Sequence, residues 1–235
     1  MLRNVKRKEG IISQLIFSLK LEILKVFNIF NRIRRNSRIK KYFKSREGDQ
    51  KKIHFGGGIE KLDGFLNTDI VGKIPISISK KLPFPSESVD VIFSCHVVEH
   101  LYYKQFRVFV KESYRILKKG GIHIIMTPSF TRLVDALYYN NDLKKKLLRG
   151  HENLARVKLD PATFLNYMTH IFYGHRFIHD IDSIARPAKS SGYSQVKTIV
   201  FSEIPDDKIR DYAFYRKTRG NERWKIETET YLLVK

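Results

Sequence analysis

The stretch KKIHFGGGIEKLDGFLNTDI, residues 51–70, decides the fold. A short apolar run ends in three glycines, Gly56, Gly57 and Gly58, and a second apolar run ends at Asp69. Glycines after a buried strand let the backbone approach a ligand closely, and an acid at the tip of the next strand can accept hydrogen bonds from ribose hydroxyls. The stretch alone is equally compatible with a glycine-rich turn, because its spacing matches neither GxGxxG nor a P-loop.

The rest of the chain alternates apolar runs with segments of helical periodicity. After Asp69 the pattern predicts, in order, a strand in VDVIFSCHV (89–97), a helix over 103–117, a strand in IHIIMTP (122–128), helices over 129–174, a helix over 181–190, and strands in VKTIVFSE (196–203) and TETYLLVK (228–235). Strands separated by helices predict an α/β fold built on a doubly wound, mostly parallel sheet. The last two strands predict a closing antiparallel pair.

The basic residues are concentrated at the N-terminus. The chain of 235 residues has a formal net charge of +21, and its first 52 residues hold sixteen Lys or Arg against four acids. We predict a helical extension over 1–50 and one domain over 51–235. Apolar residues at helical spacing in the extension are interrupted by charges, so no span of about 20 apolar residues is available. Residues 11–45 are therefore predicted either to contact an anionic membrane surface or to pack on the domain; nucleic-acid binding is the least favoured alternative.

The chain has a single cysteine, Cys95, which excludes an internal disulfide. No Cys/His pattern with metal-ligand spacing accompanies it, so no metal site is predicted. A reducing, cytoplasmic compartment is the default expectation. If the N-terminal extension contacts lipid, the protein is expected at the inner face of the membrane.

The combination of motifs resembles the class I S-adenosylmethionine-dependent methyltransferases. It consists of the glycine loop, Asp69, LPFPSESVDVIFSCHVVEHL, RILKKGG and IHIIMTPS, and it resembles in particular the short bacterial type linked to polysaccharide and cell-surface glycan biosynthesis. The resemblance covers residues 52–130 and extends to GHRFIHDIDSIARPAKSSGYSQV, residues 174–196. It implies a Rossmann-like fold, S-adenosylmethionine as the cofactor and O-methylation of a sugar or glycan-precursor hydroxyl. One departure is His54, which stands where the superfamily commonly has an acid.

The resemblance also implies where the cofactor binds. The implied cofactor-binding residues are Gly56, Gly57 and Gly58 at the methionyl end, Asp69 at the ribose, Leu82 at the adenine and Ser94 at the tip of a strand. The acid that often meets the adenine amine is missing from this chain. Residues 129–174 are implied to form a helical lid over the acceptor, and their aromatic side chains would suit stacking on sugar rings. The alternative for such aromatic residues, Phe164 above all, is that they form core.

Four residues are the candidates for catalysis: His96, Glu99, His100 and His175. An imidazole that titrates near neutrality suits the base that a hydroxyl acceptor needs. For each histidine a cofactor or substrate contact and a structural role stay open. Glu99 is predicted either to orient His100 or to form a salt bridge with Lys111 or Arg107. Asp180 is predicted to cap the helix that follows it.

Two other functions remain open from the sequence. The high positive charge is compatible with an RNA methyltransferase, although the chain shows no RNA-binding module and no NPPY-like tetrad. A non-catalytic protein of the same fold that acts as a scaffold in surface-glycan assembly is the other alternative. Binding of the cofactor discriminates the scaffold from both enzymes.

Overall fold

The computed structural model describes residues 29–235, except for Ile59, Phe172, Gly220 and Asn221. Most of the predicted N-terminal extension, including its apolar positions before residue 29, therefore lies outside the described residues.

A six-stranded sheet forms the centre of the domain. Its strands are β1 (Lys52–Phe55), β2 (Phe65–Thr68), β3 (Val89–Cys95), β4 (Leu117–Pro128), β5 (Gln195–Ile199) and β6 (Thr228–Val234). The strand order is β2-β1-β3-β4-β6-β5, in which β1 to β4 are parallel and β6 runs antiparallel to both of its neighbours. The predicted mostly parallel sheet and the antiparallel pair at its end are confirmed.

Helices cover the sheet and fill the long connection after β4. They are α1 (the described part, 29–45), α2 (Tyr103–Ile116), α3 (Phe130–Val134), which continues into a π-helical turn (Asp135–Tyr139), α4 (Asn141–Ala155), α5 (Pro161–His170), α6 (Ile181–Ser191), α7 (Asp207–Arg219) and α8 (Glu222–Glu227). The predicted cap of α6 is confirmed, because Asp180 Oδ1 accepts a hydrogen bond from Ser183 N at 2.8 Å. Helices α7 and α8 were not predicted.

Both faces of the sheet are buried under apolar side chains, as a doubly wound sheet requires. On one face, Phe55 and Tyr231 pack with Phe109 of α2 and Ile184 of α6. The other face holds a separate cluster in which β-strand residues pack against residues of α7 and α8. Segment 129–174 contributes a third cluster around Phe164, whose side chain is fully buried, so the core interpretation of that residue is confirmed.

Helix α1 lies against the domain at its C-terminal end. Ile39 is buried in the main cluster, and the Tyr42 hydroxyl donates to the carbonyl oxygen of Lys52 at 2.8 Å. Residues 39–43 therefore pack on the domain, as one of the two interpretations predicted. The N-terminal end of the described helix differs, since Ile29 and Ile33 leave more than half of their surface exposed. Within the described residues, we find no helix with the length and apolar character needed to cross a bilayer.

Candidate active site

The glycine loop follows β1 directly and is held against the end of β2. The backbone nitrogens of Gly56 and Gly57 donate to Thr68 O at 2.9 and 3.1 Å. Gly56 has a φ of 72°, and a Cβ built on it would lie 2.1 Å from Val97 Cγ2. Only glycine fits this position, because both the backbone angle and the approach of Val97 exclude a side chain. The contact also brings the glycine loop beside the turn that follows β3.

Asp69 closes the loop from the tip of β2. Its Oδ2 accepts a hydrogen bond from Gly58 N at 2.9 Å, and its Oδ1 accepts one from Ile70 N at 2.6 Å. These bonds fix the carboxylate at the carboxyl edge of the parallel strands, where ligands of this sheet type bind. A Cβ built on Gly58 would meet no atom within 4 Å, so space is open beside the carboxylate. The structure brings together the glycine loop and the acid that the sequence singled out.

Leu82 and Ser94 offer less to a ligand than the glycine loop does. The Leu82 side chain is 2% exposed and belongs to the core, while its backbone nitrogen donates to Glu112 Oε2 at 2.8 Å. Ser94 is 1% exposed, and among the described residues its hydroxyl finds no hydrogen-bond partner. The predicted contacts of Leu82 and Ser94 with a cofactor stay predictions.

His54, which stands where the resemblance led us to expect an acid, is buried on the opposite face from the main cluster. Its Nδ1 lies 3.1 Å from Asn67 Oδ1, and its ring stacks on Phe93. Burial lowers the pKa of His54, and the hydrogen bond with Asn67 opposes this only in part. A neutral imidazole in this place holds β1 to β2 and presents no negative charge.

A histidine–carboxylate cluster, formed by His96, Glu99, His100 and His175, lies where the chain leaves β3. Glu99 belongs to the 3₁₀ turn Val98–His100, and its side chain is fully buried. His96 Nδ1 lies 3.1 Å from Glu99 Oε1, and the Thr127 hydroxyl donates to Oε2 at 3.0 Å. The other ring nitrogen of His96 lies 2.9 Å from the hydroxyl of Thr228. Each ring nitrogen of His96 therefore lies next to a polar atom of the surrounding structure.

His175 reaches the cluster because its segment is hydrogen-bonded to the 3₁₀ turn. The backbone nitrogens of Arg176 and Phe177 donate to Glu99 O at 2.7 and 3.2 Å. The rings of His100 and His175 then lie edge to face, with their centroids 5.2 Å apart. The structure thus brings all four predicted catalytic residues together.

The Glu99 carboxylate at the centre of this cluster is ionised at neutral pH. Burial raises the pKa of Glu99, but the hydrogen bond and charge of His96, with the charges of His100 and His175, outweigh it and lower the pKa to about 2. Burial lowers the pKa of His175, and Glu99 opposes that shift. At neutral pH an ionised carboxylate therefore lies beside a neutral His175.

One sequence interpretation of Glu99 is wrong. The side chain forms no salt bridge with Lys111 or Arg107, because it points into the protein, whereas those two cations line a groove between α2 and α6. Sequence reasoning also missed Thr127 and Thr228, which fix the cluster from β4 and β6. Thr127 lies between buried Met126 and Pro128 in β4, and Thr228 begins β6 between two glutamates, so nothing local distinguishes them from ordinary sheet threonines.

Comparison with known proteins supports a methyltransferase. Residues 70–125 match the family model described as a methyltransferase domain. A stretch of 49 residues is 41% identical to a probable S-adenosylmethionine-dependent methyltransferase of Mycolicibacterium smegmatis. That stretch is 21% of this chain and 18% of the relative, so the match spans less than a fifth of the relative's length. The family model covers β3, the turn with Glu99, α2 and part of β4, and it begins directly after Asp69.

The chain is also similar, at low sequence identity, to solved structures of methyltransferases. A SAM-dependent methyltransferase from Archaeoglobus fulgidus has a TM-score of 0.44 at 12% identity, over 85% of this chain and 92% of that one. An S-adenosylmethionine-dependent methyltransferase from Mesorhizobium loti has a TM-score of 0.46 at 12% identity, over 79% of this chain and 90% of that one. Phosphoethanolamine N-methyltransferase 2 of Haemonchus contortus, in complex with S-adenosyl-L-methionine, has a TM-score of 0.43 at 11% identity, over 79% of this chain and 48% of that one.

Proposed function

We propose that this protein is an S-adenosylmethionine-dependent methyltransferase that methylates a hydroxyl group of a sugar or glycan precursor. The match of residues 70–125 to a methyltransferase domain supports the reaction class. The observation that carries the proposal is the contact between Gly56 and Val97, because it joins a ligand-binding loop to the histidine–carboxylate cluster. A methyl transfer needs a cofactor and an acceptor side by side, held in line with each other.

The cofactor fits the glycine loop. Gly56, Gly57 and Gly58 would lie against its methionyl end, and Asp69 would accept hydrogen bonds from its ribose hydroxyls. Oδ2 of Asp69 accepts one backbone hydrogen bond and retains a lone pair for a ligand, whereas Oδ1 already accepts hydrogen bonds from the backbone nitrogens of Ile70 and Val71. S-adenosylmethionine supplies, when bound, a methyl group already activated by its sulfonium. The protein then has to bind the cofactor and the acceptor, orient them towards each other and deprotonate the acceptor hydroxyl.

The cluster would receive the acceptor hydroxyl. His100 is exposed and His175 lies next to it, so these two imidazoles are the candidates to take up the proton of the hydroxyl. Both ring nitrogens of His96 already lie close to a polar partner, Glu99 Oε1 at 3.1 Å and the Thr228 hydroxyl at 2.9 Å. Glu99, as a carboxylate, would favour the protonated form of either neighbouring imidazole.

Exposed aromatic rings in segment 129–174 support a sugar as the acceptor. Tyr138 and Tyr139 leave 54% and 83% of their surface open at the end of the π-helical turn. Flat aromatic faces that remain solvated suit stacking on sugar rings, and their hydroxyl groups can bond to sugar hydroxyls. On this proposal segment 129–174 is the acceptor lid.

Calorimetric titration of the full chain with S-adenosylmethionine, and with its demethylated product, tests the proposal. We expect binding of one molecule per chain. Asp69→Ala should weaken it about ten- to hundredfold, since it removes charge-assisted hydrogen bonds of roughly 1.5–3 kcal/mol. Asp63→Ala is the matched control, because Asp63 is an exposed acid just before the same strand. Absence of binding would refute both enzyme functions and favour the scaffold.

We further propose that α1 contacts an anionic membrane surface. Ile29, Phe30 and Ile33 leave 55%, 65% and 73% of their surface exposed, and Arg32 and Arg34 are exposed beside them. Apolar side chains next to cations are suited to the boundary between headgroups and acyl chains. Such a location would bring the site close to lipid-linked glycan precursors.

Flotation with anionic vesicles tests this contact. The double variant Phe30→Ser/Ile33→Ser should lose most of its binding to phosphatidylserine vesicles. Val157→Ser, which removes an exposed apolar side chain elsewhere, should float like the unchanged protein. Equal flotation of the double variant and the unchanged protein would refute the contact.

A further inference from the structure

We propose that Glu99, His100 and His175 bind one divalent transition-metal ion next to the acceptor position. One ligand atom from each of the three residues lies within 4.8 Å of the other two. The binding of the ion stands on this geometry alone, whereas its use in catalysis rests on the proposed function. The sequence predicted no metal site, because His175 lies far along the chain from Glu99 and His100 and forms no local ligand spacing with them.

The backbone fixes the two imidazoles in the form that binds metals. His175 Nδ1 lies 2.9 Å from Met168 O, and His100 Nδ1 lies 3.4 Å from Gly174 O. A carbonyl oxygen can only accept a hydrogen bond, so Nδ1 carries the proton in each neutral ring. Each Nε2 is then left with its lone pair. Metal-binding histidines commonly have this arrangement, in which the second nitrogen donates to a carbonyl or carboxylate.

Glu99 is held as a ligand in the same way. Thr127 donates to Oε2, and His96 Nδ1 approaches Oε1. A carboxylate has about four lone-pair positions, so these two contacts leave room for an ion. They also orient the group, which is fully buried and cannot rotate into solvent. Thr127 and His96 therefore act as positioning residues behind the carboxylate.

The geometry requires a small closure. Ligand atoms at about 2.0–2.2 Å from a tetrahedral zinc ion lie roughly 3.3 Å apart. The largest separation here, 4.8 Å, would have to shorten by roughly 1.5 Å. The side chain of His100 can supply this movement, because it is exposed and the contact of its Nδ1 with Gly174 O is long, at 3.4 Å. Glu99 and His175 are buried and would stay in place.

Two imidazoles and one carboxylate suit Zn²⁺ and Fe²⁺, with Co²⁺ as a spectroscopic substitute, and the set leaves at least one coordination position open. An acceptor hydroxyl that binds there becomes more acidic, because the ion stabilises the alkoxide. The hydroxyl proton then leaves to solvent water, and neither imidazole has to take it up. This deepens the proposed function by giving the histidines the role of ligands, with the ion in place of a direct base.

Titration of the chelator-treated full chain with Co²⁺ tests the site. We expect visible absorption bands from one bound ion per chain, and quenching of Trp224, the single tryptophan, whose ring lies 6.3 Å from that of His96. His100→Ala should weaken binding at least about tenfold, which is the lower range for changes around a metal site. Because His100 is exposed, this variant should retain the thermal stability of the apo protein. His170→Ala removes an exposed histidine outside the cluster and should bind like the unchanged protein.

Glu99→Gln is the second variant. Glutamine keeps the shape of the glutamate side chain, so this variant should lose the ion while the packing around residue 99 is largely retained. No one-to-one binding would overturn the proposal, as would binding that persists in both variants. An intense thiolate-to-cobalt absorption would place the ion at Cys95 and would also overturn it. Failure of Co²⁺ binding with normal S-adenosylmethionine binding would leave the proposed function intact. Binding of Co²⁺ without binding of S-adenosylmethionine would support the metal site and refute the proposed function.

Discussion

His123 is a buried histidine whose charge the fold cannot accommodate. It lies in β4 with no exposed surface, and its ring meets that of Phe109 edge to face at 5.2 Å. Neither ring nitrogen finds a hydrogen-bond partner among the described residues. Burial lowers the pKa of His123 from 6.5 to about 3. The folded protein therefore holds this imidazole neutral under conditions in which the unfolded chain would protonate it.

The sign of the pH effect follows from proton counting. Between pH 6.5 and about 3 the unfolded state binds a proton at His123 that the folded state does not, so stability falls as the pH falls. The stabilising contribution is complete above pH 6.5 and disappears as the pH passes down through about 3. At about pH 5 the pKa difference corresponds to a loss of about 2 kcal/mol, from 1.36 kcal/mol per unit.

Urea unfolding at about pH 8 and about pH 5 measures this loss, with Trp224 fluorescence as the signal. In His123→Phe, which keeps the edge-to-face contact with Phe109, the drop in unfolding free energy between the two pH values should be about 2 kcal/mol smaller than in the unchanged protein. At a slope of roughly 2 kcal/mol per molar urea this is a difference of about 1 M in midpoint shift. The exposed His170→Ala should behave like the unchanged protein. If His123→Phe loses as much stability on acidification, the reasoning is refuted.

Three further substitutions test other contacts. Gly56→Ala should lower the melting temperature and abolish binding of S-adenosylmethionine, because its Cβ would collide with Val97 in a left-handed backbone conformation; normal binding would show that the loop does not hold the cofactor. Asp180→Ala should cost about 1 kcal/mol in urea unfolding, since it removes the cap on Ser183 N, and an unchanged midpoint would contradict that role. Tyr193→Phe should leave the unfolding free energy unchanged or raise it by about 1 kcal/mol, because the buried hydroxyl has no partner among the described residues; a clear loss would reveal a bond that the geometry does not show.

The first four strands could be predicted because each is a short apolar run bounded by turn residues. The predicted start of the fourth strand at Ile122 was less accurate, since β4 already begins at Leu117. The pairing of β4 with β3 shifts between Val89 and Val91, and residues 118–121 belong to the strand. Such an irregularity depends on the register of two strands, which a single sequence does not specify.

Helix α7 was missed for a different reason. Among its described side chains, those of residues 207–215, Ile209 and Ala213 are fully buried, while Phe214 and Tyr215 are exposed. The helix therefore lacks the apolar periodicity by which helices are found, and the rest of the structure stabilises it through a narrow contact.

The glycine loop and the histidine–carboxylate cluster differ in how far each could be predicted from the sequence. The glycine loop and Asp69 are close in sequence, so a pattern of local spacing sufficed to pair them. His175 joins Glu99 only because Arg176 and Phe177 are hydrogen-bonded to the turn after β3. The proximity of His175 to Glu99, like the contacts that Thr127 and Thr228 make with the cluster, depends on distant parts of the chain. Such contacts have no local sequence signature.

The position of β6 has a consequence for synthesis on the ribosome. This strand is the latest of the six along the chain, yet it lies between β4 and β5. Until it has been translated, the hydrogen-bonding edge of β4 beside Ile124 and Met126 is unpaired, and β5 has no neighbour in the sheet. The nascent chain therefore exposes an apolar strand edge over the time needed to translate about one hundred residues, and such edges invite pairing with other chains. We expect the yield of folded protein to depend on chaperones that shield this edge.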